Sequence, residues 1–321
     1  MPVLPDRPIA IYHEHPDWFR PLFAELERRG TPFVRLDANR HRYDAAAPRP
    51  PYALVFNRMS PSAWTRGHGH GIFYTLQYLE HLERLGVRVV NGAEAFRTEI
   101  SKARQLSLLE RLGLPYPRAR VIHDARHAPA AAQGLRFPVV VKPNIGGSGA
   151  GVRRFDGPEA LRAAAEDGGW SLGLDGTGLV QEFVPAEAGR IVRVEVLGGT
   201  YLYAIRVYTT GESFDLCPAD ICRGLDGAEL TRSGLDDAPK NGLKVERYEP
   251  PAEIVAEVER IMDEAGIDVG GVEYVVDARD GRHRFYDVNA LSNFVADSPR
   301  VLGFDAHARL ADWLEREASR S

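Results

Sequence analysis

The segment from residue 139 to residue 151 reads VVVKPNIGGSGAG, and it constrains the fold more than any other stretch. Three consecutive valines favour a buried β-strand, because β-branched side chains pack well on a pleated sheet. Glycine then occupies four of the six positions from 146 to 151. A loop of this composition lets backbone N–H groups surround a phosphate, since no Cβ atoms block the approach and positive φ angles are accessible.

Lys142 ends the valine run and adds a positive charge at the start of the loop. The lysine precedes the glycines, so the segment matches neither the G-x-x-x-x-G-K-S/T pattern nor the G-x-G-x-x-G pattern. Two interpretations therefore stand at this point: the segment is a phosphate-binding loop, or it is a structural glycine-rich turn.

The composition is that of an ordinary globular protein. The chain has 321 residues, of which 44% are hydrophobic and 26% charged, and its net charge at pH 7 is −5. This length predicts two or three domains. The charge argues against a general nucleic-acid binder, the apolar runs are too short to cross a membrane, and the first residues lack a signal core, so we expect a cytoplasmic protein. Cys217 and Cys222 are too few for a disulfide framework and are expected to be thiols that are buried or have no functional role.

Alternating strand and helix patterns predict an α/β fold in three units. Residues 1–97 follow a β-α-β rhythm and are expected to form a small parallel sheet. Residues 98–183 begin with a helix that Ser101 can cap, and the glycine-rich loop is expected to join the two strands of a hairpin. Residues 184–321 contain a strong hairpin signal at Gly198-Gly199 and a second pair of strands further along.

Glu273, Asp287 and Asn289 form a candidate metal site. Asp287 and Asn289 are two positions apart on a predicted strand, so their side chains share one face. Glu273 lies on the preceding strand, and the hairpin can bring it alongside. Two carboxylates and an amide supply the hard oxygen ligands that suit Mg²⁺ bound to nucleotide phosphates. A solvated hairpin face is the alternative interpretation.

The order of these features resembles the ATP-grasp superfamily, particularly carboxylate–amine ligases such as ribosomal-protein glutamate ligases and glutathione synthetases. The resemblance extends from Val55 to Phe304. The motifs that carry it are Asn57-Arg58, Val90-Asn91, Ser101-Lys102, residues 139–152, residues 179–184, Arg193, Arg206 and Asp287-Val288-Asn289-Ala290. It implies an ATP-grasp fold with an N-terminal parallel α/β domain and a nucleotide clamped between the central and C-terminal sheets.

The resemblance also assigns residues to ATP. Lys102 and Lys142 would hold the α- and β-phosphates. A loop would close over the triphosphate through Gly146, Gly147, Ser148, Gly149 and Gly151. A hinge would bond the adenine edge through its backbone, chiefly at Glu182 and Val184, and consists of Gln181, Glu182, Phe183 and Val184. Glu273, Asp287 and Asn289 would hold one or two Mg²⁺ ions, with Mn²⁺ as an alternative.

Two arginines are candidates for contact with the reacting groups. Arg206 would face the transferred phosphate, by the same resemblance. Arg58 follows a predicted strand end, where ligands gather in open α/β sheets, and its guanidinium could bind a substrate carboxylate in bidentate fashion. A surface loop is the alternative for Arg58 and for the neighbouring His68 and His70, which could otherwise act in proton transfer or metal binding.

Three departures from the family pattern concern substrates. Ile191 stands where many relatives have an aspartate that contacts ribose, and we take Glu187 as its substitute. Asp215 lies where an arginine is common in the substrate loop. Residues 291–294 read LSNF in place of the Pro-Gly usual after the metal asparagine. The last two changes lie where the acceptor would bind, so we expect a substrate unlike those of the well-known relatives.

The implied reaction is an ATP-dependent ligation, in which a carboxylate becomes an acyl phosphate with release of ADP and an amine then displaces phosphate. The expected partners are a small acid or amino acid and an amine, with no nucleic acid and no membrane, and we leave a homodimer open. A small-molecule kinase with the same nucleotide site and a nucleotide-binding regulatory protein without turnover are the alternatives. The complete metal trio and both lysines favour an enzyme.

Overall fold

The computed structural model describes residues 6–15, 17–147, 149–167, 170–208 and 244–320. Ser148, Asp215, Cys217 and Cys222 lie outside these ranges. Within them, no helix combines the length and the apolar character that crossing a membrane requires.

A parallel sheet forms the first unit, as the β-α-β rhythm predicts. Its strands run side by side in the order β2-β1-β3-β4. The elements are β1 (Ile9–His13), α1 (Arg20–Arg29), β2 (Phe33–Asp37), β3 (Leu54–Arg58), α2 (Gly69–Arg84), β4 (Arg88–Val90) and α3 (Ala93–Glu99). Every residue of β1 and β3 is buried, which is typical of parallel strands covered on both faces.

The middle part of the chain contains an antiparallel sheet in the order β5-β8-β6-β7. Its elements are α4 (Lys102–Arg111), β5 (Ala119–Ile122), α5 (Ala128–Ala131), β6 (Val139–Pro143), β7 (Arg153–Phe155), α6 (Pro158–Glu166) and β8 (Gly178–Glu182). The glycine-rich loop joins β6 to β7 in an antiparallel hairpin, as predicted. Ser101 caps α4, because its Oγ accepts a hydrogen bond from the N–H of Arg104 at 3.2 Å.

The last unit is built on an antiparallel sheet in the order β11-β10-β9-β12-β13. Its elements are β9 (Ala186–Leu197), β10 (Thr200–Tyr208), β11 (Val245–Tyr248), α7 (Ala252–Glu264), β12 (Val269–Asp277), β13 (His283–Asn289), α8 (Ser298–Leu302) and α9 (Ala306–Ala318). Gly198 and Gly199 make the turn between β9 and β10, which confirms the predicted hairpin.

The hydrophobic cores join the first unit to the last. One core combines residues of β1, β3 and α1 with residues of β9, β10 and α9. Arg29 at the end of α1 also bonds to Asp312 of α9, with Nη1 to Oδ1 at 2.5 Å. The middle sheet, with α5 and α6, has a separate core of its own. Helix α4 belongs to neither, because its leucines pack beneath β9 and β12 against α7.

Some elements differ from the predictions. Helix α3 and strand β11 were not predicted, and the alanine-rich helix of the middle unit is only four residues long. The predicted surface loop after β3 is instead a 3₁₀ helix, Pro61–Arg66, which Ser60 caps by accepting from the N–H of Ser62 at 3.1 Å. Short elements of this kind lack the repeated apolar spacing from which a helix is recognised in sequence.

Candidate active site

The three predicted metal ligands lie together on one face of the C-terminal sheet. Glu273 on β12 is directly opposite Asp287 on β13, and Gly271 is opposite Asn289. On the other side of β12, Arg193 of β9 is opposite Glu273, and Glu195 is opposite Gly271. Residues directly opposite in antiparallel strands point to the same face. The face therefore carries two adjacent rows of residues. One row consists of Arg193, Glu273 and Asp287, and the other of Glu195, Gly271 and Asn289.

Two lysines from the middle of the chain reach this face. Lys102, the first residue of α4, forms an ion pair between its Nζ and Oδ1 of Asp287. Lys142, at the end of β6, is buried close enough to Lys102, Asp287 and Glu273 to interact with all three electrostatically. Burial, and next the charge of Lys102, lower the pKa of Lys142 to about 7. Burial alone would raise the pKa of Asp287, but the two lysines outweigh it and hold that pKa below its usual value.

Arg193 connects the two rows. Its Nε donates to Glu195 Oε1 at 2.6 Å and its Nη1 donates to Glu273 Oε1 at 2.9 Å. The hydroxyl of Tyr286 donates to the other oxygen of Glu273 at 2.7 Å. Burial raises the pKa of Glu273, and the charge of Arg193 opposes that rise. Positive and negative groups therefore alternate across a buried surface, which keeps its charges compensated.

The donor set fits a hard divalent cation. Glu273 and Asp287 offer carboxylate oxygens, and Asn289 on the same face offers its amide oxygen. The buried Nδ2 of Asn289 has no hydrogen-bond partner in the described residues. The described residues contain no cluster of three or more His, Cys, Asp and Glu side chains arranged for a metal ion. An ion here would have to compete with Lys102 for Asp287.

The glycine-rich loop packs where larger residues would not fit. A Cβ atom at Gly147 would lie 2.6 Å from Cβ of Ser62 in the first unit, and one at Gly151 would lie 2.8 Å from Cγ of Pro143. The loop is tied to α4 by Asn144, whose Oδ1 accepts from the N–H of Ala103 at 2.9 Å and from Ser101 Oγ at 3.2 Å. Of the other loop residues named above, Gly146 lies against Lys102, and Gly149 has a φ of 67°.

The hinge, residues 181–184, joins β8 to β9. The N–H of Glu182 donates to the carbonyl of Arg118 and that of Phe183 to the carbonyl of Pro138, both at 2.9 Å. Gln181 lies in β8 and its side chain is buried, and Val184 is half-buried. Two of the backbone donors of the hinge are thus engaged within the protein. Glu187 is exposed and pairs with Arg190 at 3.4 Å.

Comparisons with known proteins agree with this geometry. Residues 100–215 match a family model described as the RimK-like ATP-grasp domain. Over these residues the chain is similar to that domain family. A D-alanine–D-alanine ligase of Haemophilus influenzae (strain PittEE) is 32% identical over 165 residues, 50% of this chain and 52% of that protein. A probable alpha-L-glutamate ligase of Teredinibacter turnerae is 30% identical over 135 residues, 42% of this chain and 44% of that protein.

The likeness to solved structures extends over nearly the whole chain. The ATP-grasp ligase PsnB, complexed with a phosphomimetic variant of its minimal precursor, Mg and ADP, superposes with a TM-score of 0.65 at 20% identity. The match covers 98% of this chain and 99% of that one, and establishes an ATP-grasp fold. In sequence, the chain spans about half the length of the ligases it matches.

Arg206 does not lie with the other predicted ATP-grasp site residues. On β10 it is Ile205 that stands opposite Arg193, so Arg206 points to the other face of the sheet. There its guanidinium lies 3.9 Å from the ring centre of Tyr248 and its Nη1 lies 3.6 Å from Glu246 Oε1. The expectation that Arg206 faces the transferred phosphate is wrong for this structure, because neighbouring residues on a strand point to opposite faces.

Arg58 is buried at the end of β3, so the surface-loop interpretation is wrong for it. Its Nη2 donates to the carbonyl of Ser292 and, at 3.2 Å, to Oδ1 of Asn293, both in the segment that departs from the family pattern. Its Nε and Nη1 have no hydrogen-bond partner in the described residues. Burial lowers the pKa of Arg58 to about 9, and Glu195 and Glu99 are near enough to oppose that shift.

The two neighbouring histidines are exposed. His68 pairs through Nδ1 with Glu14 Oε1 at 2.6 Å, and the same carboxylate also binds Arg66. His70 lies in the first turn of α2. Neither reaches the face that carries the lysines and the carboxylates.

Sequence reasoning missed two buried glutamates of the site. Glu195 and Arg193 are two positions apart in the second half of β9, where the other residues are apolar, and that spacing could have shown that both share one face. Its Oε2 has no hydrogen-bond partner in the described residues. Glu99 ends α3 and accepts a hydrogen bond from the N–H of Ala290. Burial raises the pKa of Glu99 to about 7. No spacing in the sequence connects Glu99 to β13.

Proposed function

We propose that this protein is an ATP-dependent carboxylate–amine ligase that forms an amide bond through an acyl phosphate. The observation that carries the proposal is the meeting of Lys102 and Lys142 with Glu273, Asp287 and Asn289 in one partly buried cluster. Phosphoryl transfer depends mainly on positioning and on charge neutralisation, and this cluster offers groups for both. The named ligase relatives support the same reaction class.

ATP is the proposed cofactor, bound between the middle and C-terminal sheets. Lys102 and Lys142 would bind its phosphates, and the glycine-rich loop would cover them. Residues 181–184 would bond adenine. In this segment the ring centre of Phe183 lies 4.6 Å from the guanidinium carbon of Arg154. Glu187 is the proposed ribose contact. Residues 1–97, 98–183 and 184–321 are the proposed functional units, with the nucleotide between the last two.

Glu273, Asp287 and Asn289 are proposed to hold one or two Mg²⁺ ions, and Mn²⁺ could replace them. Such an ion would neutralise phosphate charge while the reacting oxygens are brought into line. When ATP binds, Lys102 can exchange Asp287 for a phosphate, which frees the aspartate as a ligand. Arg193 contacts Glu273 and would hold it in place. The chain's own residues thus orient the phosphates, exclude water and set the position of the carboxylates.

The acid substrate is proposed to bind beside Arg58 and Glu195. A buried guanidinium with two unpartnered N–H groups favours a carboxylate, and a buried carboxylate oxygen without a partner favours a cationic amine. The two side chains interact electrostatically. In the Arg58→Lys variant, which keeps the charge but loses the Nε and Nη1 donors, KM for the acid should rise at least about tenfold while KM for ATP stays unchanged. An unchanged KM for the acid would remove Arg58 from this role.

The test of the proposed function is product analysis with defined pools. The protein is incubated with ATP, Mg²⁺ and mixtures of acids, amino acids, amines and short peptides, and ADP and free phosphate are measured. A ligase releases ADP and phosphate only when an acid and an amine are both present, whereas a kinase yields ADP and a phosphorylated product. Absence of turnover with every pool, together with measurable ATP binding, would favour the regulatory alternative. The Lys142→Ala variant is the negative control.

A further inference from the structure

Strand β13, which carries Asp287 and Asn289, is at the edge of its sheet in the described part of the chain. An edge strand presents unpaired N–H and C=O groups on its outer side. Beside the two proposed ligands these groups belong to Val288 and Ala290, and side chains from an earlier part of the chain bond all four of them. Further along the edge, the N–H of Phe285 donates to the backbone carbonyl of Pro115 at 2.9 Å.

Gln105 of α4 bonds both backbone groups of Val288. Its Nε2 donates to the carbonyl at 2.8 Å and its Oε1 accepts from the N–H at 3.2 Å. This paired arrangement is the one that a residue of a neighbouring antiparallel strand would supply. Gln105 is itself buried.

Ala290 is held in the same way by two residues. Its N–H donates to Oε2 of Glu99, and its carbonyl accepts from Nδ2 of Asn91 at 2.5 Å. Asn91 is fixed in turn, since its Nδ2 also donates to the carbonyl of Val269 at 2.6 Å and its Oδ1 accepts from the N–H of Val269 at 3.1 Å. Beside the two proposed ligands, the outer edge of β13 is therefore completed by side chains.

We infer that Asn91, Glu99 and Gln105, here named the edge clamp, are positioning residues that set the metal affinity of the site through the backbone of β13. The inference rests on the proposed metal role of Asp287 and Asn289. Groups that orient metal ligands without touching the ion typically change metal affinity about 10- to 100-fold when they are removed. The clamp residues lie directly after β4, at the end of α3 and in α4, so they also make the metal site depend on how these elements dock against β13.

The test is the binding of Mn²⁺ to the full chain in the presence of ADP, followed by electron paramagnetic resonance. In the Gln105→Leu variant, which removes both bonds at similar size, the Kd for Mn²⁺ should rise at least about tenfold. Glu99→Ala should behave likewise. Glu99→Gln should remain within about threefold of the wild type, because the Gln amide oxygen can still accept from the N–H of Ala290. Binding of ADP in EDTA, measured by calorimetry, should change little in all three.

Leu109→Ala is the matched control, since it destabilises the same helix by removing buried side-chain volume and touches no backbone group of β13. A wild-type Kd for Mn²⁺ in Gln105→Leu, or an equal loss in Leu109→Ala, would overturn the inference. If the wild type fails to bind Mn²⁺ with ADP, both the proposed metal site and the inference about the edge clamp are refuted. If Mn²⁺ binding follows the predictions and no substrate pool is turned over, only the ligase proposal fails.

Discussion

Lys102 and Asp287 form an ion pair across 185 positions of the chain, and the lysine side chain is 18% exposed. In the Lys102→Met variant Asp287 loses this partner and ATP loses a proposed phosphate contact. We expect the free energy of unfolding to fall by about 1–3 kcal/mol and the affinity for ATP to fall at least about tenfold. Urea unfolding and calorimetry measure the two effects. Lys244→Met, at an exposed lysine, is the control, and equal ATP affinity in both variants would exclude the phosphate role.

Proton uptake should accompany nucleotide binding because the pKa of Lys142 is about 7 in the free protein. Above this pKa the amine is mostly neutral, and a bound phosphate favours its protonated form and raises the pKa. ATP binding at pH 8 should therefore take up a proton, and the affinity should fall as the pH rises above 7. Calorimetry in buffers of different ionisation enthalpy measures the uptake. Lys142→Arg should abolish it, since guanidinium stays protonated. Identical uptake by that variant would assign the proton to another group.

The contact between Gly147 and Ser62 predicts a strong effect of a single methyl group. Gly147→Ala would bring Cβ atoms to 2.6 Å, so the loop must move away from the first unit. We expect turnover to fall at least about tenfold, with ATP hydrolysis less affected than product formation, because a displaced loop admits water. The Ser62→Gly change should partly restore Gly147→Ala. Gly157→Ala, where the added Cβ would meet the Glu159 carboxylate at 3.6 Å, is the control. No difference between the two glycine variants would contradict the prediction.

Arg193 and Arg206 provide a paired test of which face of the C-terminal sheet is catalytic. Arg193→Ala leaves two buried glutamates without their cation and should reduce turnover at least about a hundredfold. Arg206→Ala, on the opposite face, should stay within about threefold of the wild type. Steady-state kinetics on both variants, with circular dichroism to verify folding, measures the difference. The reverse ranking would restore Arg206 to the phosphate site.

Local patterns in the sequence predicted most of the helices and strands, and they predicted the candidate metal ligands Glu273, Asp287 and Asn289. Period-two spacing placed Asp287 and Asn289 on one face, and the hairpin placed Glu273 opposite Asp287. The same period explains the failure at Arg206, because a shift of one residue moves a side chain to the other face. A motif near a strand does not say which of two neighbouring residues points to the face of the site. On β10, Val207 shares the face of Arg193, and Arg206 does not.

The contacts that complete the site could not be read from the sequence. Glu99 meets Ala290, and Arg58 meets Ser292 and Asn293, across about two hundred positions. Such contacts depend on how whole elements pack, and no local periodicity records that packing. Glu195 is the intermediate case, since its strand pattern indicated its face and only the fold supplied its neighbours.

One hydrophobic core determines which part of the molecule can move. It is shared by β1, β3 and α1 of the first unit with β9, β10 and α9 of the last. Separating the first unit from the last would expose that core to water, and the free energy required is well above thermal energy. The middle sheet has its own core and can rotate as a rigid body without exposing it. Under the proposed function, nucleotide entry and product release would depend on movement of the middle sheet relative to the other two units, and a cross-link between α1 and α9 should leave both steps intact.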